Sequence, residues 1–214
     1  MTKFIFVRHG QSETNIHHQF AGQFDTPLTE TGVKQAELLS AWVADRYKID
    51  HIYASSLRRA CHTAQIAAEK VGVPVVKSEA LREINGGLWH GRKYTDIAEE
   101  YPESYGVWRA NMGDAVLPEG ESVRECAERI TSEIKRLAEL HPNQTVMVVI
   151  HAVAIRVIMA ALGQGDVSKV SEISWVPNAS VTVANYENGE LQFELVGFDD
   201  YLENMKSNLP SNIV

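Results

Sequence analysis

An apolar run ending in Arg-His-Gly, Phe4-Ile5-Phe6-Val7-Arg8-His9-Gly10, places an imidazole and a guanidinium together at a strand-to-loop corner. That pairing suits phosphoryl chemistry. Neutral imidazole can attack phosphorus, and a guanidinium matches the phosphoryl oxygens through paired hydrogen bonds while staying charged. Gly10 lets the chain pass close to a ligand, and the polar residues from Gln11 to Asn15 supply donors. Two further segments resemble this one in kind: Ser55-Ser56-Leu57-Arg58-Arg59 follows Ile52-Tyr53-Ala54, and His151 follows Val148-Val149-Ile150. Two histidines, arginines and a carboxylate suffice for phosphoryl transfer without a metal, provided a carboxylic acid protonates the departing alkoxide and later takes a proton from water.

The elements that must position these residues follow from periodicity. The alternation of aromatic and β-branched residues from Phe4 to Val7 reads as a buried strand. Thr29 caps a helix running to about Tyr47, Ile49 to Ala54 is a second strand, and a helix from about Leu57 to Val71 stops at Gly72. Val73 to Val76 is a short third strand. Residues 77–120 read as an irregular insertion that covers the substrate, with one short helix near Tyr94 to Glu100 ended by Pro102. Ser122 and Glu125 form a capping box for a helix ending before Pro142. Thr145 to Ile150 has the near-continuous apolar character of a central parallel strand, with a helix from Ala152 to Leu162 after it. Asn188-Gly189 joins Ser180–Tyr186 and Leu191–Phe198 as an edge hairpin, and the polar tail after Leu202 is expected to be loosely held.

Strands alternating with helices predict a three-layer α/β/α domain with a mostly parallel six-stranded sheet, in which ligands collect at the carboxyl ends of the strands. The three polar segments above would then share one site. The 214 residues read as a single domain with no long linker. A net charge of −8 argues against a nucleic-acid partner and an anionic membrane surface, so an anionic substrate must be drawn by a local cationic pocket. No apolar run approaches a membrane span and no secretory pattern opens the chain, which makes cytoplasmic residence the default. Cys61 and Cys126 show no redox or metal spacing, and neither do His17, His18, His51, His62, His90 and His141, which read as surface or loop residues.

Taken in order, the motifs resemble those of the histidine phosphatase superfamily, the phosphoglycerate-mutase-like enzymes. The matching segments are Val7 to Asn15, Gly22 to Thr29 with Gly32, Ser55 to Ala60 with Thr63-Ala64, Leu81-Arg82-Glu83-Ile84 with Gly87, Trp89 and Gly91, Pro118 to Ser122, and Val149-Ile150-His151 with Ile155-Arg156. The resemblance implies His9 as nucleophile, Arg8 and Arg59 as phosphate clamps, His151 as a donor to the phosphoryl oxygens and Glu83 as proton donor. It further implies that Gly10, Gln11, Ser12, Asn15, Gly22, Gln23 and Ala152 contact the phosphate or its rim. Arg59 is chosen over Arg58 because it directly precedes Ala60; Arg58 reads as a solvated helix residue. Ala152 departs from the family's usual glycine, which predicts a tighter pocket.

The implied activity is hydrolysis of a small phosphorylated metabolite, with neither metal nor cofactor. The alternative is a cofactor-dependent phosphoglycerate mutase, whose pattern has a tyrosine three residues and a lysine eleven residues after the catalytic glutamate, and an Arg-Arg pair further on. Gly86, Tyr94 and Arg109-Ala110 stand at those positions here, so a second phosphate lacks most of its holders. A phosphate-binding module without catalysis is the remaining class. Trp89, Tyr94, Tyr101, Tyr105 and Trp108 serve either as core cover or as a substrate-facing wall.

Overall fold

The computed structural model describes residues 1–207. Its elements in chain order are β1 (Thr2–Arg8), α1 (Glu13–Ile16), α2 (Glu30–Arg46), β2 (His51–Ser55), α3 (Arg58–Val71), β3 (Val75–Ser78), α4 (Tyr94–Glu100), α5 (Pro102–Ala110), α6 (Val123–Leu140), β4 (Thr145–Ile150), α7 (Ala152–Ile158), β5 (Val181–Glu187) and β6 (Glu190–Phe198). The six strands form one sheet in the order β3-β2-β4-β1-β5-β6. The first four strands in that order are mutually parallel, while β5 and β6 run antiparallel at one edge. This is the α/β architecture the alternation of strands and helices predicts.

The period-two alternation of the strands divides the core in two. Phe4, Phe6, Val146 and Val148 face α6, α7 and the insertion, whereas Ile5, Val7, Met147 and Val149 face α2 and α3. Because helices cover both faces, β1 and β4 have no polar side and read as continuous apolar runs. α6 begins where the sequence places it: the Ser122 hydroxyl accepts from Glu125 N at 3.1 Å and the Glu125 carboxylate accepts from Ser122 N at 2.8 Å. Such a cap is worth about 1 kcal/mol. Gly72 ends α3 at φ 73°.

Several boundaries differ from expectation for local reasons. β2 starts at His51 rather than Ile49, and β3 spans Val75–Ser78 because that register pairs Ile52 with Val75 and Ser55 with Ser78. Pro102 does end α4, but it also opens a second helix, α5, as a first-turn residue whose missing N–H costs nothing. The insertion therefore holds two helices and short 3₁₀ turns. α7 keeps α-helical bonding only to Ile158, and Met159–Gly163 continues as a π-helical turn. The chain beyond Leu202 is held as far as it is described: Gln35 Nε2 donates to Met205 O at 2.6 Å and to Ser207 Oγ at 2.9 Å. Residues 208–214 of the expected loose tail lie outside the described residues.

Of the histidines expected at the surface, His141 is buried, 6% exposed, stacked on His51 with ring centroids 3.8 Å apart and bonded to the Tyr53 hydroxyl at 2.9 Å. His90 is half-buried and bonded to backbone. Among the described residues, no helix is long and apolar enough to cross a membrane.

Candidate active site

The carboxyl ends of β1, β2 and β4 converge, as strand ends do in such sheets. β1 delivers Arg8 and His9, β2 delivers Ser55 and leads into Arg59 on α3, and β4 delivers His151. The His9 and His151 rings meet edge to face with centroids 5.1 Å apart. Glu83 arrives from the insertion and docks on the start of α7, where Oε2 accepts from Val153 N at 3.1 Å and Oε1 accepts from Ala154 N at 3.2 Å. Oε1 also accepts from Ile84 N at 3.1 Å. The carboxyl thus satisfies helix-terminal N–H groups that would otherwise be orphaned beneath the sheet edge.

Hydrogen bonding fixes the His9 tautomer. Nδ1 lies 2.7 Å from Gly10 O, which can only accept, and Nε2 lies 3.2 Å from Arg59 Nε, which can only donate. The ring proton is therefore on Nδ1 and the lone pair is on Nε2. Arg59 is anchored by Nη1 donating to Phe24 O at 2.9 Å and Nη2 donating to Gly22 O at 2.7 Å. Arg8 donates from Nη1 to Val176 O at 2.6 Å, whereas its Nε is buried without a partner among the described residues. His151 shares a 2.8 Å hydrogen bond between Nε2 and Ser55 Oγ, and its Nδ1 is likewise buried without a partner.

Burial governs the electrostatics. It lowers His9 well below the usual 6.5, helped by the Arg59 and Arg8 charges, and it lowers His151 in the same direction, helped by Arg59. Both imidazoles are neutral at neutral pH. Burial brings Arg8 and Arg59 down to about 10, still charged. Burial pushes the Glu83 carboxyl up, against the pull of the Val153 and Ile84 N–H groups and of the two arginines. A nucleophile with a free lone pair, two fixed cations and a carboxyl biased towards its protonated form stand together, a set suited to displacement at an anionic centre.

These groups border one open cleft. Arg8, His9, Arg59 and Glu83 line it with Gln11, Asn15, Gly22 and Ala152, whereas Gly10, Ser12, Gln23 and His151 are not on its wall. Ser12 is fully buried and bonds Thr14 Oγ1 and Asn15 Oδ1, both at 3.0 Å, as the cap of α1. Gln23 donates from its side chain to Glu83 O at 3.1 Å. Arg58 is exposed. Of the aromatic residues in the insertion, Trp89 is core, while Tyr94 and Trp108 reach the cleft.

Sequence reasoning missed Asn178 and Trp175, and quoted Ser55 without a role. Asn178 Nδ2 donates to His9 O at 3.2 Å and to Asn15 Oδ1 at 3.0 Å, tying the β1 loop to α1. It is placed there because the chain enters β5, the antiparallel neighbour of β1. Trp175 lines the cleft with Arg156 stacked on it at 4.2 Å. Ser55 was findable as a polar residue at the end of an apolar strand. Among the described residues, no three His, Cys, Asp or Glu side chains form a group that could hold a metal ion.

The family profile described as the Histidine phosphatase superfamily (branch 1) matches residues 4–199. Phosphoserine phosphatase 1 of Hydrogenobacter thermophilus is 35% identical over 187 residues, 87% of this chain and 88% of that protein. Phosphoglycerate mutase-like protein 4 of Arabidopsis thaliana is 31% identical over 190 residues, 88% of this chain and 81% of that protein. Among solved structures, Bacillus stearothermophilus YhfR superposes with a TM-score of 0.89 at 25% identity, covering 95% of this chain and all of the other.

Proposed function

The chain belongs to the histidine phosphatase superfamily, and from that premise we propose that it hydrolyses phosphomonoesters of small metabolites through a phosphohistidine on His9. The observation that carries this is the His9 tautomer, which presents an unprotonated Nε2 beside Arg59. A bound phosphoryl group takes over the Arg59 Nε–H and uses the unpartnered Arg8 Nε–H, so both guanidiniums neutralise charge on its oxygens. In this reading the Ser55 hydroxyl donates the hydrogen bond to His151 Nε2 and the ring proton stands on Nδ1, the nitrogen with no partner among the described residues, as a further donor.

His9 Nε2 attacks phosphorus as the ester P–O bond breaks, and Glu83 gives its proton to the departing alkoxide. The Glu83 carboxylate then takes a proton from water, the resulting hydroxide attacks the phosphohistidine, and the P–N bond breaks to restore His9. Arg8 and Arg59 supply the positive charge throughout, so the reaction is metal-independent.

Hydrolysis is favoured over phosphate transfer between hydroxyls by the rest of the cleft. Arg8 and Arg59 are the lysines or arginines on its wall among the described residues, and beyond them stand Phe20, Tyr94, Trp108 and Trp175. A second phosphate finds no second pair of cations there, whereas an uncharged or ring-bearing leaving group finds a wall to pack on. The test is phosphate release from a panel of nitrophenyl phosphate, sugar phosphates, phosphoserine and phosphoglycerates in the presence of chelator. Chelator-resistant release is expected; isomerisation of phosphoglycerate without net release would replace the proposal with the mutase reading.

A further inference from the structure

His90 lies off the cleft wall and takes no part in the chemistry above, yet its Nε2 receives two backbone hydrogen bonds, from Gly86 N at 2.7 Å and from Gln23 N at 3.1 Å. Backbone N–H groups only donate, so Nε2 is unprotonated and the ring is neutral with its proton on Nδ1. The two donors belong to different segments. Gln23 sits between the two carbonyls that anchor Arg59, those of Gly22 and Phe24, and its side chain holds Glu83 O. Gly86 lies three residues beyond Glu83 in the strap that carries the carboxyl.

Both segments are shaped around the imidazole. A Cβ on Gly22, whose φ is +46°, would come within 2.6 Å of His90 Cδ2, and one on Gly86 would come within 2.8 Å of the same atom. The two glycines permit a backbone approach that only an acceptor nitrogen rewards. Gly22, Gln23 and Gly86, which meet the ring, are uncharged, and Arg59 on α3 is the cation whose charge acts on it.

We infer that His90 is a positioning residue: neutral, it staples the segment that anchors Arg59 to the strap that carries Glu83, and protonated, it releases both and sets the acid limit of activity. An added proton on Nε2 would face two N–H groups, turning two attractions into two repulsions. Burial, then the Arg59 charge, lower the imidazole below the usual 6.5. The stapled form therefore holds above that lowered value and is lost as pH falls through it.

This inference rests on the hydrolase reading for its activity readout, and two variants with one independent measurement separate the two. The rate of nitrophenyl phosphate hydrolysis is followed against pH in the wild type, in His90→Gln, whose side-chain oxygen accepts but does not titrate, and in His90→Ala, which has no acceptor. His90→Ala is expected to lose about tenfold in kcat at neutral pH through two orphaned N–H groups. His90→Gln is expected to restore most of that rate and to carry its acid limb to a pH lower by about half a unit or more. Coincident acid limbs in His90→Gln and wild type would overturn the inference.

NMR titration reads the staple without turnover. The Gly86 and Gln23 amide resonances must shift with the same midpoint as the His90 ring, and amides that stay fixed while the ring titrates would overturn the inference whether or not any ester is hydrolysed.

Discussion

Replacing Glu83 by Gln separates proton donation from binding, and the structure gives a magnitude for each. The carboxylate accepts from Ile84 N and Ala154 N on Oε1 and from Val153 N on Oε2. A glutamine oriented to keep its oxygen at the Oε1 position preserves the first two bonds and turns its NH₂ towards Val153 N–H. One orphaned donor pair costs about 1–3 kcal/mol of stability. The opposite orientation orphans two backbone N–H groups and is disfavoured.

Glutamine cannot supply the leaving-group proton, so an alkyl phosphate should lose about 10²–10⁴ in kcat. Nitrophenyl phosphate, whose leaving group hardly needs a proton, should stay within about tenfold of wild type. Inorganic phosphate should bind about as tightly, because glutamine keeps the uncharged character of the protonated carboxyl beside Arg8 and Arg59. The assay is paired steady-state kinetics on the two esters with phosphate inhibition constants and urea denaturation alongside. Equal losses on both esters, with phosphate binding intact, would refute the assignment of Glu83 as the acid.

Ser55→Ala leaves His151 Nε2 without its partner at 2.8 Å and should lower kcat by about tenfold, with an unchanged rate contradicting a role for Ser55 in setting that ring. Gly10→Ala would place a Cβ 2.3 Å from Gly32 O, backbone against backbone, so urea denaturation should show a loss of about 3 kcal/mol or more; wild-type stability would deny the close packing of this loop on α2. Stability should also fall in acid. His9 and His151 sit below 6.5 in the folded chain, so the unfolded chain takes protons first, and each removes up to about 1.4 kcal/mol per pH unit as pH drops below that value. Glu83, raised on folding, acts in the opposite direction, and urea denaturation from pH 8 to 5 should show a slope that shrinks in His9→Ala.

The strand ends were legible because burial on both faces leaves no polar residue from Phe4 to Val7 in β1 or from Val146 to Ile150 in β4, so the polar residue that follows each run, Arg8 or His151, marks both the end of the strand and the site. The capping box of α6 and the glycine stop of α3 were legible for the same reason, that their signals lie within four residues of each other. What escaped is non-local or double-valued. Pro102 is both a stop and a start, and the second helix it opens carries Trp108 onto Phe20, with centroids 5.4 Å apart. Asn178 acquires its contact with His9 through the β1–β5 pairing across some 170 positions of chain. His90 and His141 have no metal spacing, and each has a partner distant in sequence, the Gln23 amide and the Tyr53 hydroxyl.

The central claim is that His9 Nε2 carries the phosphoryl group. Rapid quenching with ³²P-labelled ester, followed by mapping of the labelled residue, tests it most directly. The account predicts an acid-labile, base-stable label on His9 that forms together with release of the alcohol and ahead of phosphate release, and that is absent in His9→Ala. Turnover without any protein-bound phosphate, or a label that persists in His9→Ala, would contradict it.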